Sequence, residues 1–155
     1  MSGKKIRLLL LITLAVFLVA GSVFAFMWFK PHRDVQATTP FAELDYLDLL
    51  HAFENDQVAA NGKFLSNDGN SKVLVISGPV FSISENQAGE KIITIKGETD
   101  KAGVSVTFIP EAGEKVKNLH KGDMIKVKGQ IISGNSYDAD LDLYEHAVLI
   151  QADFY

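Results

Sequence analysis

Three aspartates near the C-terminus are spaced so that they could act together on a cation. Asp138, Asp140 and Asp142 alternate with Ala139 and Leu141, and carboxylate oxygens are the ligands that calcium prefers. Side chains that alternate along one strand share a face but do not converge as the ligands of a calcium loop do. We therefore expect these carboxylates to form the solvent face of a strand, and we predict no metal site.

Histidine, a common metal ligand and general base, shows no spacing that predicts catalysis. The four histidines, His32, His51, His120 and His146, share no short spacing such as H-x-x-x-H. The G-x-S-x-G, P-loop and G-x-G-x-x-G motifs are missing from the sequence. There is also no cysteine for a thiolate site or a disulfide. The sequence thus predicts a protein that is not an enzyme and has no cofactor.

Lysines are concentrated between the third and fourth predicted strands and along the fourth. They are Lys115, Lys117, Lys121, Lys126 and Lys128. Such a cluster could face anionic lipid headgroups if the domain is held close to a membrane. It is also typical of an ordinary solvated strand and loop. Both interpretations stay open, with the solvated surface favoured.

The chain that positions these residues begins with an apolar segment. Residues 8–29 carry no charged side chain, and about 20 apolar residues cross a bilayer as a helix. We predict a basic tail at 1–7, a transmembrane helix at 8–29 and a polar linker at 30–39. Trp28, Lys30 and Arg33 are predicted to contact the membrane surface, where aromatic and basic residues are enriched.

A cleaved signal peptide is the alternative interpretation of the same segment. Val23-Phe24-Ala25 fits the small-x-small pattern before a cleavage point. The apolar run is longer than the usual ~7–15 residues of such peptides. Cleavage after Ala25 would also leave an apolar mature terminus. These two features favour an uncleaved anchor.

Charge is unevenly divided at the predicted span. Lys4, Lys5 and Arg7 precede it, and positively charged flanks favour the cytoplasmic side, so the C-terminal domain is predicted to be exported. Residues 34–155 hold all 19 acidic residues against ten lysines and no arginine, a net charge of −9. An acidic domain repels polyphosphate, which disfavours nucleic acid as a partner.

The start of the exported part has the pattern of an amphipathic helix. Thr39-Pro40 is typical of a helix start, and Asn61-Gly62 is typical of a helix end. Apolar residues recur between them at helical spacing. We predict one helix at 40–62, with its apolar stripe against the rest of the domain.

The remainder alternates as short strands. Strand-like runs occupy residues 72–84, 91–97, 103–109, 123–133 and 140–150. The first is long and interrupted by Gly78-Pro79, which predicts a bulge or bend. Five strands of this kind, with a spacer between the third and the fourth, predict a mainly β fold, a five-stranded OB-fold barrel over 72–152.

Several segments together resemble a known family. They are Ala42-Glu43-Leu44, the run from Phe53 to Asn61 (FENDQVAAN), the run from Val75 to Val80 (VISGPV), the run from Leu119 to Asp123 (LHKGD), and Val127-Lys128-Gly129. Over about 41–150 the chain is similar to the tRNA_anti-like proteins, a group of bacterial OB-fold proteins. The resemblance implies an exported or membrane-anchored domain. Many members carry a cysteine in the third and the last strand; the absence of both here excludes a disulfide or thiol role.

These features together predict a non-catalytic binding module. We expect it in the bacterial inner membrane as a single-pass protein with its C-terminal domain on the periplasmic side, as an accessory subunit that contacts other membrane proteins. The predicted binding face consists of the outward residues Thr94, Lys96, Ser105 and Thr107, together with Tyr137. The alternative is an oligosaccharide- or nucleic-acid-binding OB domain; the sequence names no small-molecule ligand.

Overall fold

In the computed structural model, the described residues are 3–28 and 33–155, and they belong to two compact units, Met1–Arg33 and Asp34–Tyr155. The first unit is the helix α1 (Gly3–Trp28). Its side chains are described only at 12, 13 and 15–25. Among the described residues, no helix combines the length and apolarity needed to cross a membrane. The transmembrane span at 8–29 stays a prediction, and Lys30 lies outside the described residues.

The second unit contains a closed barrel. Five of its described strands form the barrel: β2 (Val73–Glu85), β3 (Lys91–Ile95), β4 (Val104–Phe108), β5 (Met124–Ser133) and β8 (Ala147–Phe154). The order is β2-β3-β4-β8-β5, and β5 pairs again with β2. All neighbours are antiparallel except β4 and β8. This closed five-strand barrel is consistent with the predicted OB fold.

The first barrel strand closes the barrel by changing partners. Residues 73–79 of β2 pair with β5, and residues from Val80 onward pair with β3. The change falls at the predicted interruption, Gly78-Pro79, and the register shifts between Val80 and Ser82. A Cβ on Gly78 would lie 2.6 Å from Cδ1 of Tyr46. Glycine is therefore required because a helix packs directly on the strand backbone.

Strand alternation places the core as the sequence predicts. Val104, Val106 and Phe108 of β4 are buried inside the barrel, whereas Ser105 and Thr107 are half-buried on its outer side. The same alternation holds in β3. Side chains of this strand pair thus divide between the core and one outer face, which carries the predicted binding residues Thr94, Ser105 and Thr107.

The predicted single helix at 40–62 is wrong in its boundaries. Residues 42–45 form a short strand, β1 (Ala42–Asp45), parallel to β2. Two helices follow, α2 (Tyr46–Asn55) and α3 (Gln57–Phe64). Asp45 and Asp56 accept hydrogen bonds from Leu47 N and Ala59 N, so each aspartate caps a new helix. These two caps, rather than Thr39-Pro40, set the helix starts.

The N-terminal part of the unit packs more tightly than a linker does. Val35 is buried, and the side chain of Gln36 donates a hydrogen bond of 2.7 Å to the Gln151 carbonyl. Lys128 in turn donates from Nζ to the Gln36 carbonyl at 2.8 Å. The predicted polar linker at 30–39 therefore packs on the rest of the unit from Val35 onward. Lys128 is also buried, although its strand position predicted a solvated side chain.

The last predicted strand at 140–150 is replaced by a hairpin and a later strand. The hairpin consists of β6 (Ser136–Asp138) and β7 (Leu143–Glu145). Asp142 lies in its turn with φ +49°, a conformation that aspartate adopts more readily than most residues. A short helical spacer, η1 (Pro110–Ala112) and α4 (Gly113–Val116), lies between β4 and β5, as predicted.

Candidate binding face of the barrel

The structure brings three predicted face residues together. Thr94 on β3 pairs with Ser105 on β4, and Thr107 pairs with Ile92 two residues further along the same strands. All four side chains are half-buried on the outside of the barrel. Short hydroxyl side chains leave this surface shallow and supply hydrogen-bond donors and acceptors. We call it the β3–β4 face.

One end of the β3–β4 face carries an aromatic residue that the sequence analysis missed. Phe81 of β2 lies beside Lys96, whose Nζ is 4.4 Å from the ring centroid. Nζ of Lys121, from the loop before β5, is 4.7 Å from the same centroid. Two ammonium groups over one ring form cation–π contacts. The strand residues of the predicted face all come from the second and third predicted strands, whereas Phe81 lies on the first barrel strand.

The two lysines of this cluster are held by further contacts. Nζ of Lys96 donates to the Asp100 carbonyl at 2.8 Å. Nζ of Lys121 forms an ion pair of 2.9 Å with Glu98. The basic charge is thus fixed beside Phe81 and partly neutralised by one carboxylate. The result is a small, locally basic spot on an acidic domain.

His146 lies close to this cluster in a neutral state. Its Nδ1 accepts a hydrogen bond of 3.0 Å from the Gly103 backbone N–H. Burial, with a smaller effect of the Lys96 charge, lowers the pKa of His146. A neutral imidazole that already accepts a structural hydrogen bond at Nδ1 is a poor general base, so its geometry indicates a structural role.

Tyr137 belongs to a different neighbourhood. It lies on the β6–β7 hairpin, where its ring stacks on Tyr144 with centroids 4.5 Å apart. Both rings line a cleft with Phe53 and Glu54 of α2. The predicted binding set therefore divides into the β3–β4 face and a separate cleft.

The lysine cluster is distributed among separate contacts rather than forming one row. Four of the five lysines form ion pairs, Lys115 with Asp153, Lys117 with Glu114, Lys121 with Glu98 and Lys126 with Glu43. Charges that are paired one by one are typical of an ordinary protein surface. This arrangement favours the solvated-surface interpretation, and the contact with lipid headgroups stays a prediction.

The three aspartates make local hydrogen bonds in the hairpin. Asp138 accepts from the backbone N–H groups of Asp140 and Leu141, and Asp142 accepts from the Tyr137 hydroxyl. In the described part of the chain, no group of three or more His, Cys, Asp or Glu side chains could hold a metal ion. Asp138 and Asp142 thus help to shape the turn between β6 and β7.

Comparison with known families adds to this geometry. The family model of the tRNA_anti-like proteins matches residues 1–140. The chain belongs to the tRNA_anti-like family. This agrees with the resemblance carried by the sequence motifs and with the barrel topology. No curated protein matches this tRNA_anti-like chain.

Solved structures share the fold of this tRNA_anti-like protein at low identity. A lipoprotein from Klebsiella pneumoniae subsp. pneumoniae MGH 78578, described as a candidate nucleic acid-binding protein, aligns with a TM-score of 0.50 and 17% identity. The alignment covers 81% of this chain and 98% of that one. Asparaginyl-tRNA synthetase from Entamoeba histolytica aligns with a TM-score of 0.36 and 14% identity over 54% of this chain and 20% of the enzyme. The first likeness supports the fold alone.

Proposed function

We propose that this tRNA_anti-like protein is a non-catalytic binding module of the bacterial envelope, which contacts a protein partner through the β3–β4 face. The observation that carries the proposal is the face itself. Thr94, Ser105 and Thr107 lie together on the outer side of the barrel, and Phe81 lies beside Lys96, the residue that follows β3. OB folds commonly take ligands on this part of the barrel.

The proposal places the module at a membrane surface. The apolar segment 8–29 and the basic residues Lys4, Lys5 and Arg7 support a single-pass anchor with the barrel on the periplasmic side. Packing of Val35 and Gln36 on the barrel leaves only a short connection after the segment. A barrel held in this way would meet partners that lie at the same surface, which supports a role as an accessory subunit of a membrane assembly.

Affinity purification of the tagged full-length chain from membrane extracts tests this function. Thr94→Arg adds a bulky charge to the β3–β4 face. Asn67→Arg is the control, because it adds the same charge to an exposed turn away from the face. This turn lies beside β5, since the side chain of Gln130 donates to the Gly69 carbonyl. We expect one partner to co-purify with the wild type and with Asn67→Arg, and to be lost with Thr94→Arg. Recovery of the chain alone, or retention of the partner by Thr94→Arg, would contradict the proposal.

Single-stranded nucleic acid is a second candidate ligand for the same face. Phe81 with Lys96 and Lys121 favours it, because single-strand binders combine an aromatic platform with basic side chains. The net charge of −9 in residues 34–155 opposes it. The local cluster therefore predicts that single-stranded nucleic acid binds, whereas the overall charge predicts that it does not.

Titration of the full-length protein with a labelled single-stranded oligonucleotide separates them. Lys121→Gln removes a charge beside Phe81, and Lys117→Gln is the matched control, since both lysines pair with a glutamate. Nucleic-acid binding predicts micromolar affinity that falls with salt and is weakened by Lys121→Gln alone. Binding that is undetectable at low salt, or equal for both variants, removes this candidate.

A further inference from the structure

A second concave site lies between α2 and the β6–β7 hairpin, apart from the β3–β4 face. The cleft has a volume of about 270 Å³ and is lined on one side by Phe53 and Glu54 of α2 and by Gln57 of α3. Asn135 and the two hairpin tyrosines line the other side. This volume is near the lower end of the ~300–1,000 Å³ typical of small-molecule sites. The cleft suits one small ligand or the end of a chain.

The aromatic wall of the cleft is held in place. Tyr137 and Tyr144 stack with an interplanar angle of 39°. The Tyr137 hydroxyl donates to Oδ1 of Asp142 at 2.7 Å, and Nζ of Lys101 donates to the Tyr144 hydroxyl at 3.2 Å. Tyr137 nevertheless remains 49% exposed. A ring that is fixed by stacking and a hydrogen bond, but open to solvent, is preorganised to stack on a ligand.

One of the residues that line the cleft, Asn135, has a buried acceptor without a partner. Asn135 is 4% exposed, and its Oδ1 is the one buried side-chain nitrogen or oxygen atom of the described residues that has no hydrogen bond. Its Nδ2 lies 3.5 Å from Oε1 of Glu54, at the limit of a hydrogen bond. Buried polar atoms are normally satisfied, so an orphaned acceptor indicates a missing donor. A ligand hydroxyl, or a water bound by it, would supply that donor.

The remaining groups narrow the chemical class of the ligand. Glu54 is exposed and lines the cleft, and Asp142 accepts a hydrogen bond from the Tyr137 hydroxyl. These two carboxylates would repel an anionic ligand. Nζ of Lys101 lies 4.9 Å from the Tyr144 centroid and disfavours a second cation at that ring. A ligand that has a flat apolar face and several hydroxyl donors would match the tyrosine rings and the acceptor oxygens of Glu54 and Asn135. We propose that this cleft binds a neutral sugar ring, stacked on Tyr137.

Saturation-transfer difference NMR on the full-length protein tests the site. The probes are maltose, cellobiose and chitobiose at millimolar concentration, in a polyoxyethylene detergent because alkyl maltosides carry a competing sugar. We expect at least one disaccharide to give a saturable signal. Tyr137→Ala should raise the Kd of that disaccharide about tenfold. Tyr137→Phe, which keeps the ring, should raise it by less than about threefold.

Two controls make the result specific to the cleft. Tyr155→Ala removes another exposed tyrosine and should bind as the wild type does; Phe81→Ala, on the β3–β4 face, should also leave the signal unchanged. The tyrosine near-ultraviolet circular dichroism of each variant checks its fold. The inference is overturned if no disaccharide gives a signal, if Tyr137→Ala binds normally, or if glucuronate or tetramethylammonium binds in place of the neutral sugars.

Discussion

At the scale of single residues, Tyr46 is the contact that joins α2 to the loop between β3 and β4. Its hydroxyl donates to Oδ2 of Asp100 at 2.7 Å and accepts from the Gly97 N–H at 3.2 Å. Burial, followed by the hydrogen bond to Asp100, raises the pKa of Tyr46 from 10 to about 12. The folded state therefore favours the protonated phenol.

Replacing Tyr46 by phenylalanine should lower the free energy of unfolding by about 1–2 kcal/mol at neutral pH, because one hydrogen bond to a carboxylate is lost. A raised pKa adds stability that is complete below pH 10 and is lost as the pH rises through about 12. The difference between wild type and Tyr46→Phe should accordingly shrink in that window. Urea titrations at several pH values measure it, and a difference that does not change with pH would contradict this account.

His146 should give the opposite pH dependence. Burial and, to a smaller extent, the Lys96 charge lower its pKa, so the folded state binds the proton less readily than the unfolded chain does. Protonation of Nδ1 would also break the hydrogen bond from Gly103. The stability contribution is then present above the ordinary pKa of about 6.5 and is lost as the pH falls. His146→Gln, whose amide oxygen can accept the same N–H, should lose less stability between pH 7 and pH 5. If the melting temperatures of the wild type and of His146→Gln fall in parallel between pH 7 and pH 5, His146 is not the source of this pH dependence.

Residue-scale chemistry was only partly readable from the sequence. The alternation of Thr94, Ser105 and Thr107 with buried residues follows from the two-residue period of a strand. Phe81 could not be assigned in the same way, because the register shift between Val80 and Ser82 disturbs that period. The cleft at Tyr137 depends on residues more than 80 positions apart, such as Glu54 and Asn135, and local patterns carry no information on that pairing.

At the scale of elements, replacing either of two glycines with alanine should change the free energy of unfolding in opposite directions. A Cβ on Gly134, after β5, would lie 2.1 Å from Cδ1 of Phe53, which is buried in the core. Gly62 lies inside α3 with nothing within 4 Å of an added Cβ. Gly134→Ala should lower the free energy of unfolding by about 1–3 kcal/mol through overpacking. Gly62→Ala should raise it by up to about 1 kcal/mol, because alanine favours the helix.

Urea denaturation of both alanine variants tests the packing of α2 on the barrel. Both substitutions add one methyl group, so changes of opposite sign in the free energy of unfolding must come from what surrounds each glycine. A neutral Gly134→Ala would mean that Phe53 does not lie against that backbone. Equal effects of the two variants would also contradict the structure.

Helix boundaries show why element-scale prediction was incomplete. Gly62 was interpreted as a helix end, but α3 continues to Phe64, which is buried against Phe53 with ring centroids 5.9 Å apart. Tertiary burial of Phe64 outweighs the weak helix-ending preference of one glycine. The barrel strands were predicted better, because each has an apolar face that is fixed by the core.

At the scale of the whole molecule, the charge pattern predicts the orientation of the chain. With Lys4, Lys5 and Arg7 kept in the cytoplasm, alkaline phosphatase fused after Tyr155 should be active and green fluorescent protein fused there should be dark. Replacing the three basic residues with glutamate should move part of the population to the reversed orientation. Bright green fluorescent protein on the unmodified chain would contradict the predicted topology.

The barrel fold of residues 72–152 was predictable from the sequence, whereas the ligand was not. A long interrupted first strand followed by four shorter runs is sufficient to indicate an OB barrel, since few architectures fit that order. The ligand depends on side chains that meet only after the barrel closes, such as Phe81 with Lys121. Family membership strengthens the first conclusion and leaves the second to experiment.

In-cell photo-crosslinking tests the central claim, that the β3–β4 face is the binding surface, for any class of ligand. The full-length chain carries benzoylphenylalanine at Thr94 or Ser105 on the face, or at the exposed Asn67 as control. The account predicts a discrete crosslinked product from positions 94 and 105 and none from position 67. Products from position 67 alone, or the same products from all three positions, would contradict it.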